Sequence, residues 1–154
     1  MKKVIVISDV HGNSKAVDKI FNEIEFDYLL FLGDGLSDLG IYENDERVKL
    51  VRGNCDFFSD EKIDRWVVIE DVNIFMTHGD KYGVKSTLRN LYNQVKDFKP
   101  NIVCFGHTHQ FFNQNIDDIV FLNPGALSSS RGGNSSYVAM AVDGKKFSIE
   151  KCSF

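Results

Sequence analysis

The sequence predicts an α/β fold in which buried strands alternate with amphipathic helices. Short apolar runs typical of buried strands recur along the chain, and stretches between them carry apolar residues at helical spacing. The last third contains closely spaced short strands separated by turn residues, a pattern that predicts an antiparallel sheet edge. With 154 residues, of which 43% are apolar, the chain can form one core. We therefore expect a single domain over residues 1–154.

The first half of the chain predicts three strands and one helix. The helix is expected to begin after Asn13 or Ser14, which are suitable capping residues, because an apolar stripe with the spacing i, i+3, i+4, i+7 follows them. That stripe consists of Val17, Ile20, Phe21 and Ile24. The acidic stretch 38–46 is expected to be a solvated loop. The predicted strands are residues 4–10, 28–32 and 48–51.

The second half predicts another helix and a series of shorter strands. Apolar residues at helical spacing occupy the stretch 84–98 and stop before Pro100, a residue that ends helices. Asp71-Val72-Asn73 separates two strand-like runs and predicts a tight hairpin turn, and further turns are expected at residues 117–118 and 143–144. The predicted strands are residues 66–69, 74–77, 102–105, 111–116, 119–122, 137–142 and 146–152.

Charge and composition weigh against several classes of protein. A net charge of −4 argues against a general nucleic-acid binder, which usually has a basic face, so no stable nucleic-acid complex is expected. The apolar run after Met1 stops at Ser8, which is too short for a secretory signal or a membrane span, so we expect no membrane association. Three cysteines without paired spacing (Cys55, Cys104 and Cys152) favour a reducing, cytoplasmic setting.

All four histidines stand where an apolar, strand-like run ends; they are His11, His78, His107 and His109. Asp9, Asp34 and Asn54 occupy the same kind of position, where ligands bind in open α/β sheets. Taken singly, such a histidine is more often structural, and a Gly-Asp pair is more often a plain turn. Taken together, nitrogen and oxygen donors at five strand ends predict a metal site with more ligands than one ion needs. Two ions are the economical interpretation.

Two pairs of these residues lie two positions apart in the sequence. Asp9 and His11 would lie on the same face of an extended strand, from which both can reach one ion. The same holds for His107 and His109 if Thr108 is extended. We therefore expect extended backbone to present both pairs.

Five motifs follow one another along the chain: Asp9-Val10-His11, Gly33-Asp34, Gly53-Asn54-Cys55-Asp56, Thr77-His78-Gly79-Asp80 and Gly106-His107-Thr108-His109. In this order they resemble the motif blocks of the calcineurin-like metallophosphoesterases, and they span almost the whole chain. The short length and the third motif are similar to the small YfcE-like phosphodiesterase branch. The resemblance implies a four-layer α-β-β-α sandwich, in which helices flank two mixed sheets and a dinuclear metal centre lies between the sheets.

The resemblance also implies which residues hold the two metal ions. One ion would be held by Asp9, His11, Asp34 and His109, and the other by Asp34, Asn54, His78 and His107. Asp34 would bridge the ions, because the two oxygens of a carboxylate offer about four lone-pair directions. Mixed imidazole and carboxylate donors suit Mn, Ni, Fe, Co or Zn better than Ca or Mg, and manganese is the expected ion.

Such a centre implies hydrolysis of a small phosphodiester by a hydroxide held between the two ions. Asn54 and His78 would be catalytic residues, and Asn54 would also contact the substrate. The loop 122–134 is similar to an Asn-Pro-Gly-rich loop of the family, so Arg131 or Ser128 would contact the substrate as well. The alternative is that this loop is only a flexible connection. Tyr82 and Lys85 are expected to be surface residues at the start of a helix.

The sequence departs from several branches of the family at Cys55. In those branches a histidine follows the ligand asparagine and protonates the leaving oxygen. A thiol with an ordinary pKa of about 8.5 is a poor proton donor, and no histidine is left over to replace it. Cys55 is either a weak catalytic contact or a small side chain packed into the structure. In both cases acidic leaving groups are expected to be favoured.

Two other functions stay open from the sequence. One is a non-catalytic scaffold, because the retromer complex contains a subunit of this fold without catalytic competence; the intact set of seven ligands argues against it. The other is a nuclease acting on DNA ends, as in the large repair members of the superfamily. Those carry the histidine that Cys55 replaces, and the acidic balance of this chain is unfavourable for binding a polyanion. The sequence does not determine whether the chain forms a homo-oligomer.

Overall fold

Within residues 1–128 and 135–154, which the computed structural model describes, the strands form two mixed five-stranded sheets. The first contains β1 (Lys2–Ile7), β2 (Tyr28–Phe31), β3 (Val48–Leu50), β9 (Ser136–Asp143) and β10 (Lys146–Ser153), in the spatial order β10-β9-β1-β2-β3. The second contains β4 (Asp64–Ile69), β5 (Val72–Thr77), β6 (Ile102–Cys104), β7 (Phe111–Ile116) and β8 (Ile119–Pro124), in the order β4-β5-β6-β8-β7. Every strand predicted from the sequence is present, with ends shifted by a few residues.

Helices cover the outer faces of both sheets. The helices α1 (Ser14–Glu23) and α2 (Leu36–Leu39) follow β1 and β2 and pack on the first sheet. The helix α3 (Arg89–Val95) follows β5 and packs on the second sheet. Short 3-10 helices lie at Gly40–Asn44, Asp80–Tyr82 and Lys96–Phe98.

The main core lies between the two sheets and follows from the alternation of side chains along each strand. In β1, Val4 and Val6 point into this core, whereas Ile5 and Ile7 face the helices of the outer layer. In β5, Phe75 faces α3 on the opposite side of the molecule. Burying each such aliphatic side chain stabilises the fold by about 1.5–3 kcal/mol relative to exposure. The layers therefore follow the order α-β-β-α, and the predicted four-layer sandwich is confirmed.

The parallel strands of each sheet bring their carboxyl ends to one side of the molecule. β1 and β2 pair in parallel, as do β2 and β3, and in the second sheet β6 pairs in parallel with β5 and β8. Hydrogen bonds between the two sets of loops, such as that from the His107 backbone N–H to Asp9, join the sheets at this edge. Among the described residues, no helix combines the length and the apolar character needed to span a lipid bilayer.

The acidic stretch 38–46 is not the solvated loop that its composition suggests. It contains the end of α2 and the 3-10 helix Gly40–Asn44. Leu39 is 1% exposed, and the ring of Tyr42 stacks on Phe21 of α1 with centroids 3.9 Å apart. The charged residues dominate the composition, but these apolar contacts hold the segment against the sheet.

Two further boundaries differ from the predictions. The hairpin turn lies at residues 70–71 rather than 71–73, because Val72 is fully buried and pairs with Ile69. The second helix begins at Arg89 rather than near Val84. Gly83 has a φ of 63°, which interrupts a helix, yet Val84 remains buried in the outer cluster. The apolar residues before residue 89 therefore have helical spacing because they are buried, although the helix itself begins only at Arg89.

Candidate metal centre

The loops after β1 and β6 bring one set of donor atoms together. His109 Nε2 lies 3.2 Å from His11 Nε2 and 3.2 Å from Asp9 Oδ1. His11 Nε2 is 3.5 Å from the same Asp9 oxygen. These three residues are among those predicted to hold the first ion.

The loops after β2, β5 and β6 bring a second set together. His78 Nε2 lies 3.2 Å from Asp34 Oδ2 and 3.2 Å from His107 Nδ1. The same Asp34 oxygen is 3.7 Å from His11 Nε2. Asp34 therefore lies between the two sets of donor atoms, which is the position that a ligand shared by two metal ions would need.

Asn54 follows β3 and is exposed. Its side-chain amide nitrogen donates a hydrogen bond to Cys55 Sγ at 3.5 Å. Within the described residues, this is the hydrogen bond that the Asn54 side chain makes. Asn54 as a metal ligand and substrate contact thus stays a prediction. The predicted contact Arg131 lies outside the described residues.

Within the described residues, candidate ligand atoms form three overlapping groups, in each of which all atoms lie within 4.8 Å of one another. The groups are Asp9, His11 and His109; Asp34, His78 and His107; and His11, Asp34 and Cys55. The third group places the Cys55 thiol at the edge of the centre. Because Cys55 is exposed, the alternative of a packed structural cysteine is wrong.

The expectation that extended backbone presents the donors is also wrong. β1 ends at Ile7 and β6 at Cys104, before the residues in question. Five of the seven predicted ligands have a positive φ, which is uncommon for residues other than glycine, although aspartate and histidine adopt it more often than most: Asp9 (55°), His11 (41°), Asp34 (65°), His107 (71°) and His109 (62°). Each such residue turns the chain sharply, so that alternate side chains face the centre. Strain of this kind costs on the order of 1–3 kcal/mol per residue and concentrates at functional sites.

A buried oxygen of Asp9 gives a test of whether a cation fits this centre. Asp9 Oδ2 accepts hydrogen bonds from Ser8 Oγ at 2.6 Å and the His107 backbone N–H at 3.0 Å. Asp9 Oδ1 is buried and has no hydrogen-bond partner among the described residues. A buried carboxylate oxygen without a partner is costly, whereas coordination of a cation would satisfy it. The donor set therefore fits divalent metal ions.

The charges of the centre favour a cation as well. Burial alone would raise the pKa of Asp34, but the hydrogen bond and charge of His78, with the Cys55 backbone N–H, lower that pKa to about 2. Burial would lower the pKa of His78, but the carboxylates of Asp34 and Asp9 raise it. The raised pKa of His78 expresses the negative potential of the two carboxylates, which attracts positive charge, and the lowered pKa of Asp34 keeps its carboxylate ionised.

Backbone groups fix the orientation of the donors. His78 Nδ1–H donates to the carbonyl oxygen of Leu32 at 2.8 Å, which leaves Nε2 directed at Asp34. Asn123 donates to the Gly106 carbonyl and to Thr108 Oγ1, both at 3.0 Å, and so holds the loop that carries His107. Outer-shell partners of this kind set the direction and basicity of metal ligands.

Gly33 allows the loops after β2 and β3 to approach each other. Its φ is 102°, and a Cβ at this position would lie 2.6 Å from the backbone nitrogen of Gly53 and 2.9 Å from His78 Nδ1. Any larger residue would therefore displace the loops that carry Asp34 and Asn54. The Gly33-Asp34 pair therefore does more than form a turn: the glycine permits the close packing of the two loops.

Asp56 organises the loop that presents Asp34, a role the sequence did not assign. Its Oδ2 accepts the backbone N–H groups of Asp34 and Gly53 at 2.8 and 2.7 Å. Its Oδ1 accepts those of Gly35 and Leu36 at 2.9 and 3.0 Å, at the start of α2. In the sequence Asp56 stands two positions after Asn54, and no local pattern indicates which backbone N–H groups its carboxylate would accept.

Replacing Asp56 with alanine is expected to destabilise the protein by about 3 kcal/mol, because hydrogen bonds to a charged acceptor contribute roughly 1.5–3 kcal/mol each and four N–H groups lose their partner. Urea unfolding of the metal-free protein measures this change. Asp60→Ala is the control, since Asp60 is exposed and its loss is expected to change stability by about 0.5 kcal/mol at most. Equal stability of the two variants would show that the Asp56 hydrogen bonds do not hold the loop.

The other residues that the sequence singled out lie around the centre. Ser128 is 9% exposed, and its backbone N–H donates to the Asp9 carbonyl at 3.1 Å, so residue 128 lies beside the centre. Tyr82 is not the predicted surface residue: it is 6% exposed, and its hydroxyl donates to Asp64 at 2.6 Å. Lys85 is exposed, as predicted, and lines a cleft beside Thr108.

Sequence comparisons identify a family and named relatives. A family model for the calcineurin-like phosphoesterase superfamily domain matches residues 1–145. The probable metallophosphoesterase YsnB of Bacillus subtilis is 31% identical over 130 residues, which cover 83% of this chain and 76% of the relative. Phosphodiesterase YfcE of Escherichia coli is 26% identical over 91% of this chain and 87% of its own length.

Two solved structures share the fold. A conserved Streptococcus pneumoniae protein described as a predicted phosphoesterase superposes with a TM-score of 0.85, at 24% identity, over 99% of this chain and 89% of its own. Wild-type Vps29 of Entamoeba histolytica, solved as a complex with Zn²⁺, gives a TM-score of 0.75 at 18% identity, with 98% of each chain covered. At these identities the likeness establishes the four-layer fold alone.

Proposed function

Because the chain belongs to the calcineurin-like phosphoesterase superfamily, we propose that it hydrolyses small phosphodiesters with the help of two divalent metal ions. Relatives named metallophosphoesterase and phosphodiesterase support a phosphoesterase activity. One observation carries the proposal: the buried, unpartnered Asp9 Oδ1 lies 3.2 to 3.9 Å from an imidazole nitrogen of three histidines, namely His109, His11 and His78.

We assign Asp9, His11, Asp34 and His109 to one ion, and Asp34, Asn54, His78 and His107 to the other. When bound, such ions would lower the pKa of a nearby water, neutralise the phosphodiester and align it for in-line attack. Only two of the seven ligands are carboxylates, so the loaded centre stays positive and attracts an anionic substrate. Mixed nitrogen and oxygen donors suit Mn, Ni, Fe, Co or Zn better than Ca or Mg, and among these manganese is the ion that we propose.

The residues of the chain contribute mainly by holding these groups in place before the substrate binds. The Leu32 carbonyl fixes the ring of His78, and Asp56 fixes the backbone of Asp34. Asn54 is exposed and precedes Cys55 in the chain, and in this proposal its amide N–H would donate to a phosphate oxygen. Partial desolvation and the nearby Asp34 carboxylate raise the pKa of the Cys55 thiol. A raised pKa makes this thiol a weaker general acid than an imidazolium would be at the same position.

The proposal is tested with bis-p-nitrophenyl phosphate and protein stripped of metal. Hydrolysis should be absent without metal and should appear when Mn²⁺ is added. Asp9→Asn should lose this activity, whereas Asp118→Asn, which removes the same charge in the turn between β7 and β8, should retain it. If wild-type protein loaded with each of the five candidate metals hydrolysed no phosphodiester, the proposal would be wrong.

Hydrolysis is expected to depend steeply on the leaving group, because no imidazole at position 55 protonates the departing oxygen. General acid catalysis is typically worth about 10²–10⁴-fold, so aryl phosphodiesters should react faster than alkyl ones by a factor of that order. Diesters should also react faster than the corresponding monoesters. A series of phenols of increasing pKa, compared by kcat/KM, measures the dependence. If kcat/KM did not change with the pKa of the leaving phenol, and the chemical step were shown to limit the rate, the expected dependence on the leaving group would be wrong.

The same assays separate the remaining alternatives. A non-catalytic scaffold would bind metal tightly without hydrolysing any diester. A nuclease would cleave DNA ends faster than small diesters. The net charge of −4 makes binding of the DNA polyanion unfavourable. Cleavage of DNA and of bis-p-nitrophenyl phosphate, measured side by side on the same metal-loaded preparation, distinguishes the three functions.

A further inference from the structure

A cleft of about 460 Å³ opens beside the candidate metal centre. It begins at Cys55, whose sulfur lies within 4.8 Å of donor atoms of His11 and Asp34. From there it follows residues 55–61 to Glu43. Its volume suits a small organic group. A phosphodiester bound at the centre would therefore place one of its two substituents in this cleft.

Two exposed aromatic rings line the cleft. Phe57 is 73% exposed and Phe58 is fully exposed, although side chains of this size are usually buried. Leu36, which is 6% exposed, adds a further apolar contact. The face of a phenyl ring carries partial negative charge and attracts organic cations.

The charged groups of the cleft are all acidic. Glu43, Asp60 and Glu61 contribute carboxylates, and in the part of the chain that the structure describes none of these carboxylates accepts a hydrogen bond or forms an ion pair. No lysine or arginine is among the ten lining residues. The carboxylate of Asp56 is taken up by backbone N–H groups. The negative charge of this cleft is therefore not neutralised by the residues that line it.

A second cleft next to the centre has a different character. It is lined by Lys85 and by apolar side chains that include Phe105 and Phe112, without an acidic residue. It meets the centre at Thr108, between His107 and His109. The two substituents of a phosphodiester would thus meet different environments, and positive charge is favoured only on the Cys55 side.

We propose that the cleft formed by residues 55–61, Leu36 and Glu43 binds a positively charged organic substituent of the phosphodiester, such as the trimethylammonium or protonated amine of an amino-alcohol ester. This inference rests on the proposed phosphodiesterase function. The free carboxylates attract the cation, and the rings of Phe57 and Phe58 contact its alkyl groups. A substituent with a carboxylate or a second phosphate is repelled. The expected order of preference is cationic, then neutral, then anionic.

Three substrates with the same p-nitrophenolate leaving group test this order. They are the p-nitrophenyl phosphodiesters of choline, of 3,3-dimethylbutanol and of 4-hydroxybutyrate. The first two have nearly the same shape and differ in charge. Cation–π contacts and exposed charge pairs each contribute modestly to binding, and here both would act on the same cation. We therefore expect kcat/KM for the choline ester to exceed that of its neutral analogue about 10-fold, with the anionic ester slowest.

Variants connect the preference to the cleft. In Glu43→Gln/Glu61→Gln the ratio of kcat/KM between the choline ester and the neutral ester should fall to about 2, because two of the carboxylates that attract the cation are removed. The matched control is Asp71→Asn/Asp118→Asn, which removes the same charge from turns before β5 and β8, at the ends of those strands away from the centre. This control should keep the wild-type ratio. An equal fall in both double variants would mean that overall charge, and not the cleft, sets the preference.

Binding of tetramethylammonium to metal-free protein gives a readout that does not need activity. Shifts of the Phe57 and Phe58 ring resonances in wild type, and their loss in Glu43→Gln/Glu61→Gln, are expected. If all three esters react at equal rates, or if tetramethylammonium shifts neither ring, the cleft does not select cations, although the phosphodiesterase function stands. If none of the esters reacts, the proposed function fails, and the ring shifts alone decide whether the cleft binds cations.

Discussion

Asp34→Asn should remove both metal ions and lower phosphodiester hydrolysis by about 10²–10⁴-fold. Asp34 lies between the two donor sets, with the same oxygen 3.2 Å from His78 Nε2 and 3.7 Å from His11 Nε2. Loss of even an outer-shell partner typically costs about 10–100-fold in metal affinity, and the loss of Asp34 weakens two ions at once. Elemental analysis of the purified variant and kcat/KM for bis-p-nitrophenyl phosphate measure the two effects.

His109→Ala is the matched comparison for this variant. Its donor atom contacts Asp9 and His11 but belongs only to the first set, so mainly one ion should be weakened. Far-ultraviolet circular dichroism should show that both variants are folded. If folded Asp34→Asn still held two ions as tightly as wild type, the bridging role of Asp34 would be disproved.

Cys55→His should raise activity toward phosphomonoesters and alkyl diesters by about 10²-fold relative to aryl diesters. The thiol lies beside donor atoms of His11 and Asp34, so an imidazolium there can reach the leaving oxygen. General acid catalysis is typically worth about 10²–10⁴-fold. Because Cys55 is exposed, the larger ring should change stability by only about 0.5 kcal/mol.

Cys55→Ser is the control for this change, since a hydroxyl is no better as an acid than the thiol. Its ratio of monoester to diester activity should stay at the wild-type value. Thermal unfolding of both variants and their metal content are measured on the same preparations. An unchanged ratio in folded, fully metallated Cys55→His would show that position 55 does not determine the choice of substrate.

Apolar patterns predicted the strands, the family resemblance implied the four layers, and the structure brings six of the seven predicted ligands together. Apolar periodicity alone located every strand, because side-chain alternation and burial are local properties of a strand. All four histidines and two aspartates ended those strands, and parallel pairing brought them to one edge. That the chain is a single domain in a cytoplasmic setting stays a prediction.

Backbone conformation and long-range hydrogen bonds were beyond what the sequence could indicate. The positive φ values of Asp9 and His107 depend on the surrounding loops, so residue spacing suggested extended backbone instead. The role of Asp56 depends on N–H groups about twenty positions away, at Asp34 and Gly35. The helical part of stretch 38–46 depends on burial against α1, which outweighs its acidic composition.

Titration of metal-free protein with Mn²⁺, with hydrolysis of bis-p-nitrophenyl phosphate followed after each addition, tests the dinuclear centre most directly. Activity should rise until two ions are bound per chain and then remain constant, because one ion leaves half of the donor set without a role. Activity that is complete at one ion per chain, or that is absent when two are bound, would contradict a dinuclear phosphodiesterase.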